Sequence, residues 1–402
     1  MAHRFGIVRR FRFNLPQRIA ACMLAAFLFQ GLWVVSHQTL TDRDYQYARC
    51  GRETWEKPSP LAGYYTTCGN IRDGILAYRL AGLPLTLNVL AERALDTFRK
   101  PEDRVIQTSG EIGTWELRHQ MTHVLLLLRL PFLLAGCVLG GSLWWVTRRL
   151  YGNLGGYTAL ALYCFTPAIL RACLSPNTEI LAALGVFGGV YTSIGVAHAM
   201  QGPRRKWRPR IVLLTVVFGV AAAAHIVALP IAALFGLVLM LWVAEGRRGQ
   251  VLPIVLAAAT GALLLVFACY GFSPDAYSYV FRSADAFLWF SLDPARRFFT
   301  TLTNAGVTLA ATAALVFYVS LRKSRYYGNT APLFCAVALF PLVMTGTPGS
   351  PWIWALPFLF AFIGGVFADA IEGPRGRMAL YAAGAIMVLQ ALLCLMSLPG
   401  MV

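Results

Sequence analysis

Ionisable side chains are sparse in the apolar stretches of this 402-residue chain, and those present recur at particular places. Arg129 sits inside LLLLRLPF, Arg171 and Glu179 flank ACLSPNTE, and His225 interrupts a long apolar run. The polar segments between apolar stretches add Asp42, Asp44, Arg72, Asp73, Asp275, Arg282 and Asp285. A carboxylate can take the proton of an attacking hydroxyl, and guanidinium groups can hold a phosphate through paired N–H donors. These are the parts that group transfer from a phosphate ester needs. Each residue alone has a plainer use: Arg129 can pair with a carboxylate to fix helix packing, and Arg171 can snorkel to headgroups. Their joint placement on one side of a membrane is what favours an active site.

The elements that must position them are membrane helices. Apolar residues make up 57% of the chain and charged residues only 13%, too little polar surface for a water-soluble enzyme. Several near-uncharged stretches can cross ~30 Å of hydrocarbon as helices. They run approximately over 19–35, 124–146, 156–174, 179–200, 251–272, 302–321, 331–345, 352–369 and 378–398. The basic N-terminal arm before residue 19 resembles a secretory signal, but VVSHQ offers no small-residue cleavage site, so an uncleaved anchor is expected.

Charge orients the chain. Lys and Arg number 35 against 18 Asp and Glu, a surplus that could suggest nucleic acid, yet it falls in short gaps between apolar stretches. Arg148 and Arg149, the run 204–210, Arg247 and Arg248, the run 322–325, and Arg375 and Arg377 hold fourteen cations, as cytoplasmic loops do. After residue 146 the alternate gaps hold only Arg171, Arg282, Arg296 and Arg297. No nucleic-acid partner is expected, because no basic face with interleaved aromatics lies outside those gaps. The stretch 211–243 has basic flanks on both sides and so must go out and return, turning near His225 to Pro230. Arms of about 15 residues span only ~22 Å each, which predicts a recessed turn facing an outer cavity. The expected architecture is all-α: one polytopic transmembrane domain over residues 1–402, with about eleven spans, N-terminus inside and C-terminus outside.

Two outer loops stand out. Residues 37–123 carry 11 acidic and 11 basic residues, and the spacing of Leu87, Leu90, Ala94, Leu95 and Phe98 predicts an amphipathic helix at the interface. Arg79 and Pro84 argue against a span over 75–90. Cys50 and Cys68, 18 positions apart in this loop, could form a disulfide in an oxidising compartment; the other seven cysteines lie in or beside spans. No His or Cys set at ligand spacing accompanies them, so no metal site is expected there. The second outer loop, 273–300, mixes aromatics with Asp275, Arg282 and Asp285 and suits either a cover over a phosphate or an inert connector.

The stretch from LLLLRLPFLLAGCVLGG through ACLSPNTEILAALGVFGGVY resembles the second to fourth spans of the glycosyltransferase-C superfamily, in the style of the protein O-mannosyltransferase and aminoarabinose transferase branch. The resemblance covers residues 124–245 and, more loosely, the first span and loop. It implies an inverting membrane transferase that moves a sugar from a polyprenyl-phosphate donor to an extracytoplasmic glycan, lipid or protein acceptor. A catalytic base is then implied soon after the first span, in TLTDRDYQYA, making Asp42 and Asp44 the candidates, with Asp44 slightly favoured. Arg129, Arg72, Arg282, Glu179, His225 and Arg171 are the implied donor-phosphate and substrate contacts. One displacement needs one base, without the paired carboxyls of a retaining mechanism. No tightly bound cofactor is expected, and a divalent metal requirement is left open. The implied location is a bacterial inner membrane with the site facing the periplasm, among membrane lipids.

Two other classes fit the same spans. In a transporter or channel the charges would line a path, but internally repeated halves would be expected and none is found. A noncatalytic membrane scaffold of the same fold would keep the helices with altered acids. No Gly-rich phosphate loop or metal-binding helix motif is present.

Overall fold

The computed structural model describes residues 14–56, 71, 74–96, 121–202, 207–282, 288–320, 326–344, 351–373 and 376–402. Seven helical segments within them are long and apolar enough to cross a membrane: Leu15–His37, His123–Cys164, Glu179–Met200, Arg248–Cys269, Leu302–Ser320, Trp352–Ile371 and Gly376–Ser397. Ala228–Val243 and Gly328–Leu339 are shorter apolar helices. The protein is a helical, multi-pass membrane protein.

The first helix, α1 (Leu15–His37), opens with Pro16 in its first turn and with the Gln17 side chain accepting the Asn14 N–H at 2.9 Å, both of which suit a helix start. Two helices follow α1, α2 (Asp42–Glu56) and α3 (Ile75–Asp96), in the segment expected to be the first outer loop. They cross where Gly51 meets Gly82, and a side chain on Gly82 would overlap the Gly51 carbonyl. Pro84 is accommodated inside α3. The amphipathic helix expected near 87–98 is the second half of α3, where Leu87, Leu90 and Leu95 are exposed. Gly82→Ala should force α2 and α3 apart and cost about 1–3 kcal/mol, read as a lower melting temperature in detergent; an unchanged melt would show that the crossing yields freely.

The helix α4 (Met121–Cys164) is two antiparallel arms joined at Gly152, whose φ of 82° suits glycine. The Tyr163 hydroxyl donates to the Gly136 carbonyl at 2.6 Å, although 27 residues of straight helix would separate them by ~40 Å. Arg148 closes the turn on Asn153 at 2.8 Å. The span expected over 156–174 is interrupted after Cys164, and Pro167 starts a separate short helix, α5 (Pro167–Leu174).

Three helices then pack together: α6 (Glu179–Met200), α7 (Arg208–Ala224) and α8 (Ala228–Val243). The helix breaks at residues 225–227, within the stretch where a turn was expected. Small residues let both arms run back along α6: Gly185 meets Ala221, Gly189 meets Phe218 and Ala232, and Ser193 meets Gly236. The helix α9 (Val251–Cys269) lies against α7 and α8. Its last turn accepts a hydrogen bond at the Cys269 carbonyl from Arg79 of α3 at 2.5 Å, which also places a cation at a helix C-terminus.

Residues 274–300 contain α10 (Pro274–Arg282), strand β1 (Leu288–Phe290) and α11 (Asp293–Thr300). The helices α12 (Ala305–Ser320) and α13 (Tyr326–Leu339) come next. The span expected over 331–345 ends early, because Pro341 cannot continue a helix. Residues 342–344 form strand β2 (Leu342–Met344), antiparallel to β1 with Leu288 opposite Met344, Trp289 opposite Val343 and Phe290 opposite Leu342. This short ribbon is the one addition to an otherwise helical architecture among the described residues. The helix α14 (Trp352–Ile371) is the centre of the bundle, with Trp354, Phe358, Phe360, Phe362 and Phe367 fully buried. It contacts α4 closely enough that a Cβ on Gly364 would stand 2.5 Å from the Gly155 carbonyl oxygen. The last helix is α15 (Gly376–Ser397), followed by a single turn, Pro399–Met401.

Candidate active site

The first turn of α2 is locked from two directions. The Thr41 N–H and hydroxyl both donate to Asp44 Oδ2, at 3.0 and 2.8 Å, and the Asp44 N–H donates to the Thr41 hydroxyl at 3.3 Å. This is a reciprocal cap with Asp44 at the third helical position. Arg129 of α4 then binds both carboxylate oxygens, Nε to Oδ1 at 3.1 Å and Nη2 to Oδ2 at 2.5 Å. Arg129 also donates to the Gln38 side chain, whose amide donates to the Met401 carbonyl. Asp44 is 0% exposed and Arg129 3% exposed.

That geometry buries the base and the phosphate contact expected from the sequence against each other. The Asp44 carboxylate has no face open to a substrate, so it does not suit a base, and Arg129 is spent on Asp44 and Gln38 and does not suit a phosphate contact. Both instead fix the position of α2. Asp42, two residues earlier, is exposed. Successive helical residues differ by ~100° in direction, so the turn that buries Asp44 points Arg43 elsewhere. Arg43 is half-buried, lies 6.0 Å from the Tyr47 ring centroid and faces a cavity. Tyr47 stacks on Tyr78 at 4.2 Å. Burial pushes the Tyr78 phenol above its ordinary value, while Arg43 opposes that shift.

The cavity has a volume of about 650 Å³. Its charged wall is assembled from distant segments: Arg43 from α2, Arg171 from α5, Glu179 from α6, and Asp293 with Arg297 from α11. Asn177 shapes the α5–α6 turn: its amide donates to the Ala172 carbonyl at 3.0 Å and its Oδ1 accepts the Glu179 N–H at 3.0 Å. This fastens Arg171 and Glu179 on either side of one short turn. On α11, Ser291 accepts the Asp293 N–H at 3.2 Å, and Arg297 follows Asp293 by four residues, on the same helix face. Phe298 packs on Phe340 and Trp352, with ring centroids 5.9 and 5.7 Å apart, so α11 is seated by aromatic burial. Trp289, Val343, Trp352, Thr301 and Thr303 complete much of the wall.

His225 does not face this cavity. It is 2% exposed and meets Trp354 edge-on at 5.9 Å. The turn at 225–227, expected to be an open recess, is covered, since Gly74, leading into α3, packs on the Ala224 carbonyl and Thr178. Arg72 lies outside the described residues, as do Asp73, Asp285 and the Arg282 side chain. Asp275 is exposed on α10. Cys50 is fully buried and disulfide-bonded; Cys68, its expected partner, lies outside the described residues.

Arg43, Asp293 and Arg297 were not singled out from the sequence. A signal existed for two of them: SLDPARRFF reads as a helix start at Asp293 and Pro294 with Arg297 one turn on. Arg43 was hidden between two aspartates. Among the described residues no three His, Cys, Asp or Glu side chains stand together as a metal site.

No protein-family model matches the chain, and no curated protein matches it. Its fold is similar to the crystal structure of the Archaeoglobus fulgidus oligosaccharyltransferase in complex with Zn and sulfate, with a TM-score of 0.54, 13% identity, and coverage of 94% of this chain. The matched region is 52% of that protein, so the chain spans about half of its length. The likeness is one of fold: the helical membrane architecture described above is similar to that of this oligosaccharyltransferase.

Proposed function

We propose that this membrane protein is a glycosyltransferase of the glycosyltransferase-C type that moves a sugar from a polyprenyl-phosphate donor to an acceptor hydroxyl on the extracytoplasmic side. The observation that carries this reading is the shared cavity in which Arg43, Arg171 and Arg297 meet Glu179 and Asp293. Three guanidinium groups suit a phosphate that gains charge as it leaves, and a carboxylate suits proton removal from the attacking hydroxyl.

In the reaction, Glu179 or Asp293 takes the acceptor O–H proton. The acceptor oxygen bonds to the anomeric carbon as the carbon–oxygen bond to phosphate breaks, and the polyprenyl phosphate departs with its electron pair against the arginines. A single displacement inverts the anomeric centre. Asp42 is the third candidate base, one residue from Arg43. The matching topology has eleven crossings with the N-terminus in the cytoplasm of a bacterial inner membrane, and the Cys50 disulfide closes on Cys68 in the periplasm.

The test is transfer from a polyprenyl-phosphate sugar by purified protein. Glu179→Gln, Asp293→Asn and Asp42→Asn are compared at equal folded fraction. One of the three should lower kcat by about 100-fold or more, the range of general-base catalysis. Unimpaired turnover in all three would remove the carboxylate mechanism, and turnover without any lipid-linked donor would remove the substrate class.

A further inference from the structure

The ribbon of β1 and β2 divides its side chains between two environments. Strand residues alternate between faces. The cross-strand pair Trp289 and Val343 lines the cavity; their neighbours on β1, Leu288 and Phe290, are exposed, whereas on β2 Met344 is buried in the core and Leu342 packs against it. Leu288 is 43% exposed, Phe290 78%, and Leu292, two residues beyond β1, 74%. Such a cluster of large apolar groups is costly in water.

The hydrocarbon core does not suit the ribbon either. Two strands leave unpaired N–H and C=O groups along both edges, and those groups cost several kcal/mol each where no water reaches. The level that satisfies both backbone and side chains is the boundary between headgroups and acyl chains, where apolar side chains dip and the backbone stays wet. Arg296, exposed on α11 and absent from the cavity wall, adds a cation for lipid phosphates at the same level.

We infer that Leu288, Phe290 and Leu292 dock into the outer leaflet of the bilayer, and that the ribbon is thereby the partition between the arginine-lined cavity and membrane lipid. The partner is a phospholipid surface. This holds whether or not sugar transfer is the reaction, because it concerns only where the cavity wall meets lipid.

The experiment places a photoreactive diazirine amino acid singly at positions 290, 292 and 289 of the full chain, in nanodiscs of phosphatidylcholine and phosphatidylglycerol without polyprenyl lipid. Phospholipid adducts are read by mass spectrometry. Positions 290 and 292 should each give at least about fivefold more phospholipid adduct than position 289, which faces the cavity. Equal yields at all three positions, solvent-quenched products alone at 290 and 292, or adducts there to a second copy of the chain would each overturn the inference. All three positions are exposed or line open space, so replacement is compatible with folding, and monodisperse elution checks it.

Discussion

Arg129→Ala is expected to destabilise the protein by about 3–5 kcal/mol, the usual cost of leaving one member of a buried ion pair without its partner. The Asp44 carboxylate is fully buried and accepts two hydrogen bonds from Arg129, so its removal strands a charge where little water reaches. Arg129→Lys should recover only part of the loss, because an ammonium cannot span both carboxylate oxygens and Gln38 together. Combining Arg129→Met with Asp44→Leu should destabilise less than Arg129→Ala alone, since no charge is then left unpaired. Thermal unfolding in detergent reads all three. A loss under about 1 kcal/mol for Arg129→Ala would show that water reaches the pair. If Arg129→Ala were fully stable yet could not bind a polyprenyl phosphate, the phosphate role inferred from the sequence would be restored.

The second large effect concerns the cavity arginines. Arg171→Ala and Arg297→Ala should each lower kcat/KM for a polyprenyl-phosphate sugar by about 100- to 1,000-fold, the scale of removing one group that stabilises developing negative charge. Stability should change little, because both side chains are exposed. Arg296→Ala is the internal control: it neighbours Arg297 but does not line the cavity, and its effect in detergent should stay within about threefold. Initial rates at several donor concentrations separate the cases. Equal losses at Arg296 and Arg297 would mean that only general positive charge matters, and no loss at Arg171 would move the phosphate away from the α5–α6 turn.

Much of the helical layout was legible because bilayer crossing imposes a length and an apolar composition that any single segment must satisfy. The reversal in 211–243 was legible for the same reason: basic flanks on both sides demand an outward and a return arm, and α7 and α8 provide them. The end of the span begun at Ala331 was readable only in part, since Pro341 stops the helix while the pairing of 342–344 with 288–290 depends on a segment about fifty residues away. That Arg171 and Glu179 stand together was legible because they flank one short turn, and both line the cavity. Arg43, Asp293 and Arg297 escaped because nothing local shows that three loops share a wall. The two acids in TDRDY look alike in sequence, yet one is capped, paired and buried while the other is exposed.

By itself, then, the sequence determined that this chain lives in a membrane, roughly where its helices run, and that its acids and arginines cluster away from the basic loops. These properties follow from hydropathy and charge, which act residue by residue. Which carboxylate faces the cavity, which arginine is a structural tie, and where the hairpin turn is covered were decided by tertiary structure alone. The reason is physical: the cost of a buried charge and the reach of a guanidinium depend on neighbours brought from 85 positions away, as Arg129 is to Asp44, and no local pattern encodes that meeting.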